Sequence, residues 1–448
     1  MTVAQAREGQ ISGQDYGQNL LLGDSSDLSA NVMKMEERLE TEYENHFQRN
    51  LAEVSFTGQD IANILLEINR KTNTKSAVFW AIPEADYLHL VLVLPGQQPM
   101  VKDIQGLTRE QLLQKVRELQ LELTNPRKLA TESYLPAAQK LYQWMIQPFE
   151  AALQTANVDT LLFCMGKGLR SLPIAVLHDG QQFLVEKYSL SLIPAFNLIN
   201  TAYNPVKTAK VLAMGASEFT QLNPLPAVPI ELSTIVNSGT NSGNSSGSSS
   251  DAALSSQWLG QTFLNQAFTL ENLKTQLASK AFRIIHLATH AEFQSGSPKN
   301  SYIQFWDAQL HLSQMPELNW RNPSVELLVL SACRTALGNQ EAELGFAGLA
   351  LNSGVKSALA SFWSVSDLGT LALMGEFYKQ LKIAPSKAAA LRQVQIGMIQ
   401  GRVQISEAGL QLSDGKQIEL PIALTNLPIE NLSHPFYWAA FTMISSPW

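Results

Sequence analysis

The sequence predicts an α/β protein whose main body is a mostly parallel sheet covered by helices. Six apolar runs carry that expectation: LLFCMG (161–166), FLVEKYSLSLIP (183–194), KVLAMGAS (210–217), RIIHLATH (283–290), VELLVLSAC (325–333) and VKSALASFW (355–363), each closed by turn residues. Helical patterns at 271–279, 342–351 and 367–382 lie between several of them. Strands that are apolar throughout and alternate with helices are strands buried on both faces, which is the parallel arrangement. Of the 448 residues, 45 % are hydrophobic and 16 % charged, enough apolar material for a large core.

The elements follow in chain order. Residues 1–30 are polar, rich in Gly, Ser and Gln, and without period, which reads as a flexible tail. From Ser29 the spacing of Val32, Met35, Leu39, Tyr43 and Phe47 predicts a helix, with Glu36, Glu37, Glu40, Glu42 and Glu44 on its other faces. A second helix near 59–70 carries Ile61, Ile64, Leu65 and Ile68. SAVFWAI (76–82) and YLHLVLVLP (87–95) read as paired strands around a short turn. Thr108 and Gln111 form a capping-box start for a helix carrying Leu112, Val116, Leu119 and Leu123. A further helix is expected near 137–154. The stretch 31–138 is therefore an N-terminal α+β region, and 139–448 is the sheet domain. The tract 237–251, all Ser, Gly, Asn and Thr but for Asp251, cannot build a core and reads as a flexible loop within that domain.

Composition excludes several classes. The 32 Lys and Arg against 39 Asp and Glu make a net charge of −7, which argues against gripping nucleic acid phosphates. Two cysteines rule out a disulfide framework and a Cys-rich zinc site. The N-terminal residues lack the basic start and apolar core of a signal peptide, and no stretch of 18 apolar residues occurs. The expectation is a cytoplasmic protein.

In such a sheet, reactive groups collect at the carboxyl ends of strands. Two strand ends carry nucleophile-class residues: His290 closes RIIHLATH and Cys333 closes VELLVLSAC. They are 43 residues apart, about one βα unit, so neighbouring strands would bring them to one edge. A cysteine becomes a thiolate at neutral pH beside a histidine, so the pair is a candidate catalytic dyad. His286, four before His290, raises a metal pair as an alternative to a histidine held within the strand. Cys164 reads as structural. Gly166 and Gly168 form an isolated G-x-G, too little for a phosphate site, so no cofactor is expected.

HLATHAEF (286–293), LVLSACRTALG (328–338), ELGFAGLALNSGVKSALASFWSVSD (343–367) and HPFYWAAFTMI (434–444) resemble the CHAT domain family, as does KGLRSLPIAVLHDGQQFLVEKYSLSLIPA (167–195). The resemblance covers about 139–448. It implies a caspase–hemoglobinase-like fold, similarity to separases, and a clan CD cysteine peptidase whose dyad maps onto Cys333 and His290. It also implies an oxyanion hole formed by the backbone N–H groups of Cys333 and Ala291. The family usually has Gly where this chain has Ala291. If that position required positive φ, alanine there would cost about 1–2 kcal/mol.

The segment ending at Asp367 resembles the separase stretch whose acid meets a basic P1 side chain, so Asp367 is the candidate substrate-binding residue. The competing reading makes Asp367 the N-cap of the helix after it. Glu341 and Glu343 are alternative acids near the cleft. The implied function is a cysteine endopeptidase acting on a protein or peptide substrate, with basic residues the expected P1 and a regulatory protein the expected further partner. Neither nucleic acid nor membrane is expected as a partner. The rival is a catalytically weak caspase-like interaction or regulatory module.

Overall fold

The computed structural model describes residues 28–51, 54–237, 257–321, 324–335, 337, 339–406, 409–420, 424 and 431–448. The expected tail lies outside these residues, except that Leu28–Ala30 already belong to the first helix, Leu28–Phe47. The tract 237–251 lies outside them too, apart from Asn237.

The strands are β1 (Ser76–Pro83), β2 (Tyr87–Val93), β3 (Met100–Gln105), β4 (Thr160–Met165), β5 (Ser189–Ile193), β6 (Val211–Gly215), β7 (Val236–Asn237), β8 (Trp258–Leu264), β9 (Ile284–Phe293), β10 (Tyr302–Gln304), β11 (Gln309–His311), β12 (Leu327–Thr335), β13 (Ser357–Ser361), β14 (Gln404–Ser406), β15 (Gly409–Gln411), β16 (Gln417–Ile418) and β17 (Phe441–Ser445). Fourteen of them form one sheet in the order β3-β2-β1-β4-β5-β17-β13-β12-β9-β6-β8-β7, with β10 added to β9 and β11 to β10. β14, β15 and β16 make a separate small sheet.

β1, β4, β5 and β17 run parallel. So do β13, β12, β9, β6, β8 and β7. The two sets meet antiparallel where β13 pairs with β17. The predicted mostly parallel sheet is therefore present, and the N-terminal strands extend it through β1 and β4 rather than forming a sheet of their own.

Every residue of β1 is buried. Ala77, Phe79 and Ala81 face one apolar layer, and Val78, Trp80 and Ile82 face another. That alternation is the two-residue period of a strand covered on both sides. The second layer is built by Val32, Met35, Leu39, Ile61, Leu65 and Ile68 from the helices Leu28–Phe47 and Gly58–Thr72. The Thr108–Gln111 capping box forms with both of its bonds, Gln111 N–H to Thr108 Oγ1 and Thr108 N–H to Gln111 Oε1.

Three expectations need correction. Glu36 and Glu40 lie on the buried side of the helix with Val32, Met35 and Leu39, not on its other faces, and Asn197 and Trp80 supply donors to them. The run 183–194 splits into a helical turn, Leu184–Lys187, and β5. The helix near 137–154 is two, Leu135–Met145 and Glu150–Thr155, separated by a 3₁₀ turn containing Pro148. Proline lacks the N–H that a continuous helix needs there. Among the described residues, no helix is long and apolar enough to cross a membrane.

Candidate active site

β6, β9, β12 and β13 stand side by side and parallel, so their carboxyl ends share one edge. β9 carries His290 and β12 carries Cys333, and the two strands are immediate neighbours. Ala332 pairs with His290 and Cys333 with Ala291, so the two candidate residues stand one register step apart. Neither ends its strand: β9 continues to Phe293 and β12 to Thr335. Between Leu330 and Ala332 the register shifts, because Leu330 faces Leu287 while Ala332 faces His290. An irregularity of this kind re-aims the residues beyond it and is common beside active sites.

His290 is half-buried. Its Nε2 lies 2.8 Å from the backbone oxygen of Asn223. A carbonyl oxygen only accepts, so Nε2 carries the hydrogen and Nδ1 is left with its lone pair in the neutral ring. The Phe219 ring meets the imidazole edge-on, with centroids 4.8 Å apart. Both contacts come from the segment after β6, which the sequence did not single out. Asn223 contributes a main-chain carbonyl, so its side-chain identity carried no signal.

That segment is pinned at both ends. Ala216 N–H donates to Ala288 O at 3.2 Å, and Ser217 N–H to Asn265 Oδ1 at 2.8 Å. Leu225 N–H donates back to Ser217 O at 2.9 Å. Ala227 N–H donates to Asp367 Oδ2 at 3.2 Å. The segment thus touches both His290 and Asp367.

Ala291 is buried in β9 and flanked by β12 on one side and β10 on the other, opposite Cys333 and Ile303. It is not one of the residues with positive φ. Alanine is therefore unstrained at this position, and the conditional penalty does not arise.

Asp367 is the first residue of the helix Asp367–Leu381, but it is not its cap. Ser366 is the N-cap, and its side chain accepts from Gly369 N–H. A carboxylate in the first turn still suits the positive end of the helix. Glu341 is exposed and accepts from Ser295 Oγ at 2.9 Å and Gly296 N–H at 2.6 Å. Those bonds hold its carboxyl below the usual range. Glu343 is not a cleft acid: it is buried, accepts from Ser171 Oγ at 2.5 Å, and burial raises its pKa.

The two strand histidines take different partners. His286 is wholly buried, with Nε2 2.9 Å from Glu231 Oε1. Among the described residues, no group of three or more His, Cys, Asp and Glu is arranged to hold a metal ion. Cys164 is buried, and its thiol donates to Glu36 Oε1 at 3.8 Å. Burial and the Glu36 charge push that thiol well above its usual pKa. Gly168 has φ +90°, and a Cβ there would lie 2.8 Å from Leu113 Cδ2, so the G-x-G makes a tight turn against the helix Arg109–Thr124.

No curated protein matches the chain. Two crystal structures of the Saccharomyces cerevisiae separase–securin complex align with 87 % and 93 % of it, at 10 % and 8 % identity and TM-scores of 0.45 and 0.48. The aligned part is only 31 % and 33 % of those chains. The complex of Porphyromonas gingivalis RgpB pro- and mature domains aligns with 76 % of this chain and 77 % of its own, at 9 % identity and a TM-score of 0.38. At such identities and scores nothing about activity passes to this chain. The CHAT domain profile matches residues 135–446, well over half of the sequence, and the chain belongs to the CHAT domain family.

Proposed function

We propose that the protein is a cysteine endopeptidase of the caspase-like clan CD type, with Cys333 as nucleophile and His290 as its base. The observation that carries the reading is the His290 imidazole. It sits one register step from Cys333 and is oriented through Nε2 by the Asn223 carbonyl, so that Nδ1 remains to take a proton. A base oriented by a third group beside a nucleophile is the general arrangement for activating a thiol.

In the proposed reaction, the Cys333 thiol gives its proton to His290 Nδ1, and the thiolate attacks the peptide carbonyl carbon. The carbonyl oxygen gains negative charge, for which the backbone N–H groups of Cys333 and Ala291 are the candidate donors. The imidazolium returns its proton to the leaving amine as the C–N bond breaks, leaving a thioester on Cys333. Water, deprotonated by His290, then releases the acid and restores the thiol. Asp367 is the candidate acid for a basic P1 side chain, since the segment that touches His290 also donates to it.

The rival reading, a docking module weakened at Ala291, rested on a strained backbone that Ala291 does not have. The proposal is tested with a diverse peptide library: the parent cleaves, and Cys333→Ala and His290→Ala each abolish cleavage while the folded spectrum is kept. Iodoacetamide at pH 6 gives an independent reading. The chain's other cysteine, Cys164, is buried with a raised pKa, so alkylation of the folded protein reports Cys333. A Cys333→Ala variant that cleaves like the parent excludes the proposal.

The same library tests Asp367. Asp367→Asn is expected to lower discrimination for Arg and Lys at P1 by about 2–5 kcal/mol, the cost of losing a desolvated charge partner. It leaves the fold in place, because Asn can still accept from Ala227 N–H. An unchanged P1 profile removes Asp367 from the pocket.

A further inference from the structure

Resting on the reading of His290 as the base, we propose that the buried pair Glu231–His286 is a positioning device for that base. It acts by clamping the helix that carries the 216–227 segment. Glu231 lies in the helix Val228–Ile235, which follows that segment directly. His286 lies on β9, four residues before His290. Glu231 is 2 % exposed and His286 is 0 % exposed. Glu231 Oε1 and His286 Nε2 are 2.9 Å apart, in close polar contact though off the line of a hydrogen bond, and neither atom has a hydrogen-bond partner.

The helix has little of its own to hold it. It spans 8 residues, and its N-cap, Ala227, offers no side-chain bond. A helix so short is unstable without tertiary anchors. Val228, Leu232 and Ile235 supply apolar anchoring, which resists removal but permits sliding. Gln257 Nε2 donates to Ser233 O at 2.5 Å near the helix's far end, and the contact between Glu231 and His286 is the buried polar one that ties the helix to β9.

Its position matters because Glu231 N–H donates to Ala227 O at 2.9 Å, one turn back. Ala227 N–H in turn donates to Asp367, and Asn223, four residues earlier, holds His290. β9 therefore grips the segment-and-helix unit at two points. His290 bonds the segment's carbonyl, and His286 meets the helix's carboxylate. The two points stand on either side of the register shift in β9, so the second grip fixes how far the segment reaches past that irregularity. This gives the H-x-x-x-H spacing a role without a metal: one imidazole to act, the other to hold the frame that aims it.

The test reads His290 itself, so it does not depend on finding a substrate. Imidazole nitrogen NMR on the full chain, with the His290 signals assigned by their loss in His290→Gln, reports which nitrogen carries the proton. The parent is expected to show a single Nε2–H tautomer. Glu231→Gln, which removes the charge and keeps the shape, is expected to give a mixture of both tautomers, like a free imidazole.

Glu326→Gln is the control. It alters an equally buried carboxylate paired with Lys356 near the opposite ends of these strands, so it strains the fold without touching the segment. It should leave the His290 tautomer alone. An unchanged tautomer in Glu231→Gln, an equal change in Glu326→Gln, or a parent lacking the Nε2–H form would each overturn the proposal. Should Glu231→Gln fail to fold, Glu231→Asp, which retracts the same charge by one methylene, is read by the same outcomes. If the chain cleaves peptides, kcat falls tenfold or more in Glu231→Gln with little change in KM. If no peptide is cleaved, the NMR result still decides.

Discussion

Glu36 is an acid inside an apolar layer, and its surroundings set its protonation. It is 0 % exposed and accepts from Trp80 Nε1 at 2.7 Å and Asn197 N–H at 2.9 Å. Burial raises its pKa from the usual 4.5 to about 7; those two donors pull it back, and the neighbouring Glu40 charge adds to the rise. The unfolded chain therefore ionises Glu36 before the folded chain does. Stability from this group is full below the unfolded value of 4.5 and is lost as pH rises towards the folded value of about 7. The loss is on the order of 3 kcal/mol once both forms are ionised. Glu36→Gln cannot ionise, so its advantage over the parent should be small at pH 4 and grow to roughly that amount at pH 8. Urea unfolding at the two pH values checks this; a difference that is constant with pH would show that Glu36 does not titrate in this range.

The helix Leu28–Phe47 bears on the proposed nucleophile's side of the molecule through its last turn. Phe47 lies against Gly348, where an added Cβ would stand 2.5 Å from the Phe47 ring and 2.9 Å from Leu344 O. Gly348 joins the helices Gln340–Ala347 and Leu349–Ser353, which follow β12. Its φ of −90° makes no demand for glycine, so space alone excludes a side chain. Gly348→Ala should destabilise by about 1–3 kcal/mol, the usual cost of overpacking. In a Phe47→Ala background the same change should cost less, since the clashing ring is gone and only the close approach to Leu344 O remains. Additive effects in that double-mutant cycle would mean the two elements do not bear on each other.

Elements of this kind were legible wherever apolar period and strand burial agree, as in β4, β9, β12 and β13. The largely exposed strand β8, between β6 and β7, was missed because Gly260, Gln261 and Thr262 break its apolar pattern. The first helix was legible, but the burial of Glu36 and Glu40 was not, since their donors sit at Trp80 and Asn197, far away in sequence. The edge that brings His290 and Cys333 to neighbouring strands followed from spacing. The Asn223 carbonyl did not, because a main-chain acceptor is the same in every residue.

At the scale of the molecule, the tract 237–251 decides whether this chain would stay in one piece as an active peptidase. It joins β7 to β8, which pair through Val236 with Trp258 and Asn237 with Leu259. A cut inside it would leave β7 and β8, on either side of it, still paired in the same sheet, and the halves would not separate under native conditions. From Val211 to Leu273 the sequence contains no Lys or Arg. An enzyme selecting basic P1 residues through Asp367 would find nothing to cut there, in its own tract or a neighbour's. The only acid in the tract is Asp251, so an Asp-selective enzyme would cut once. The expected outcome is a single intact chain after hours of incubation, beside Cys333→Ala as the control. Masses must be measured after denaturation, because the sheet would hide a nick. A Cys333-dependent cut between 237 and 251 would overturn the assignment of Asp367 to a basic pocket, and the residue before the cut would name the preference that replaces it.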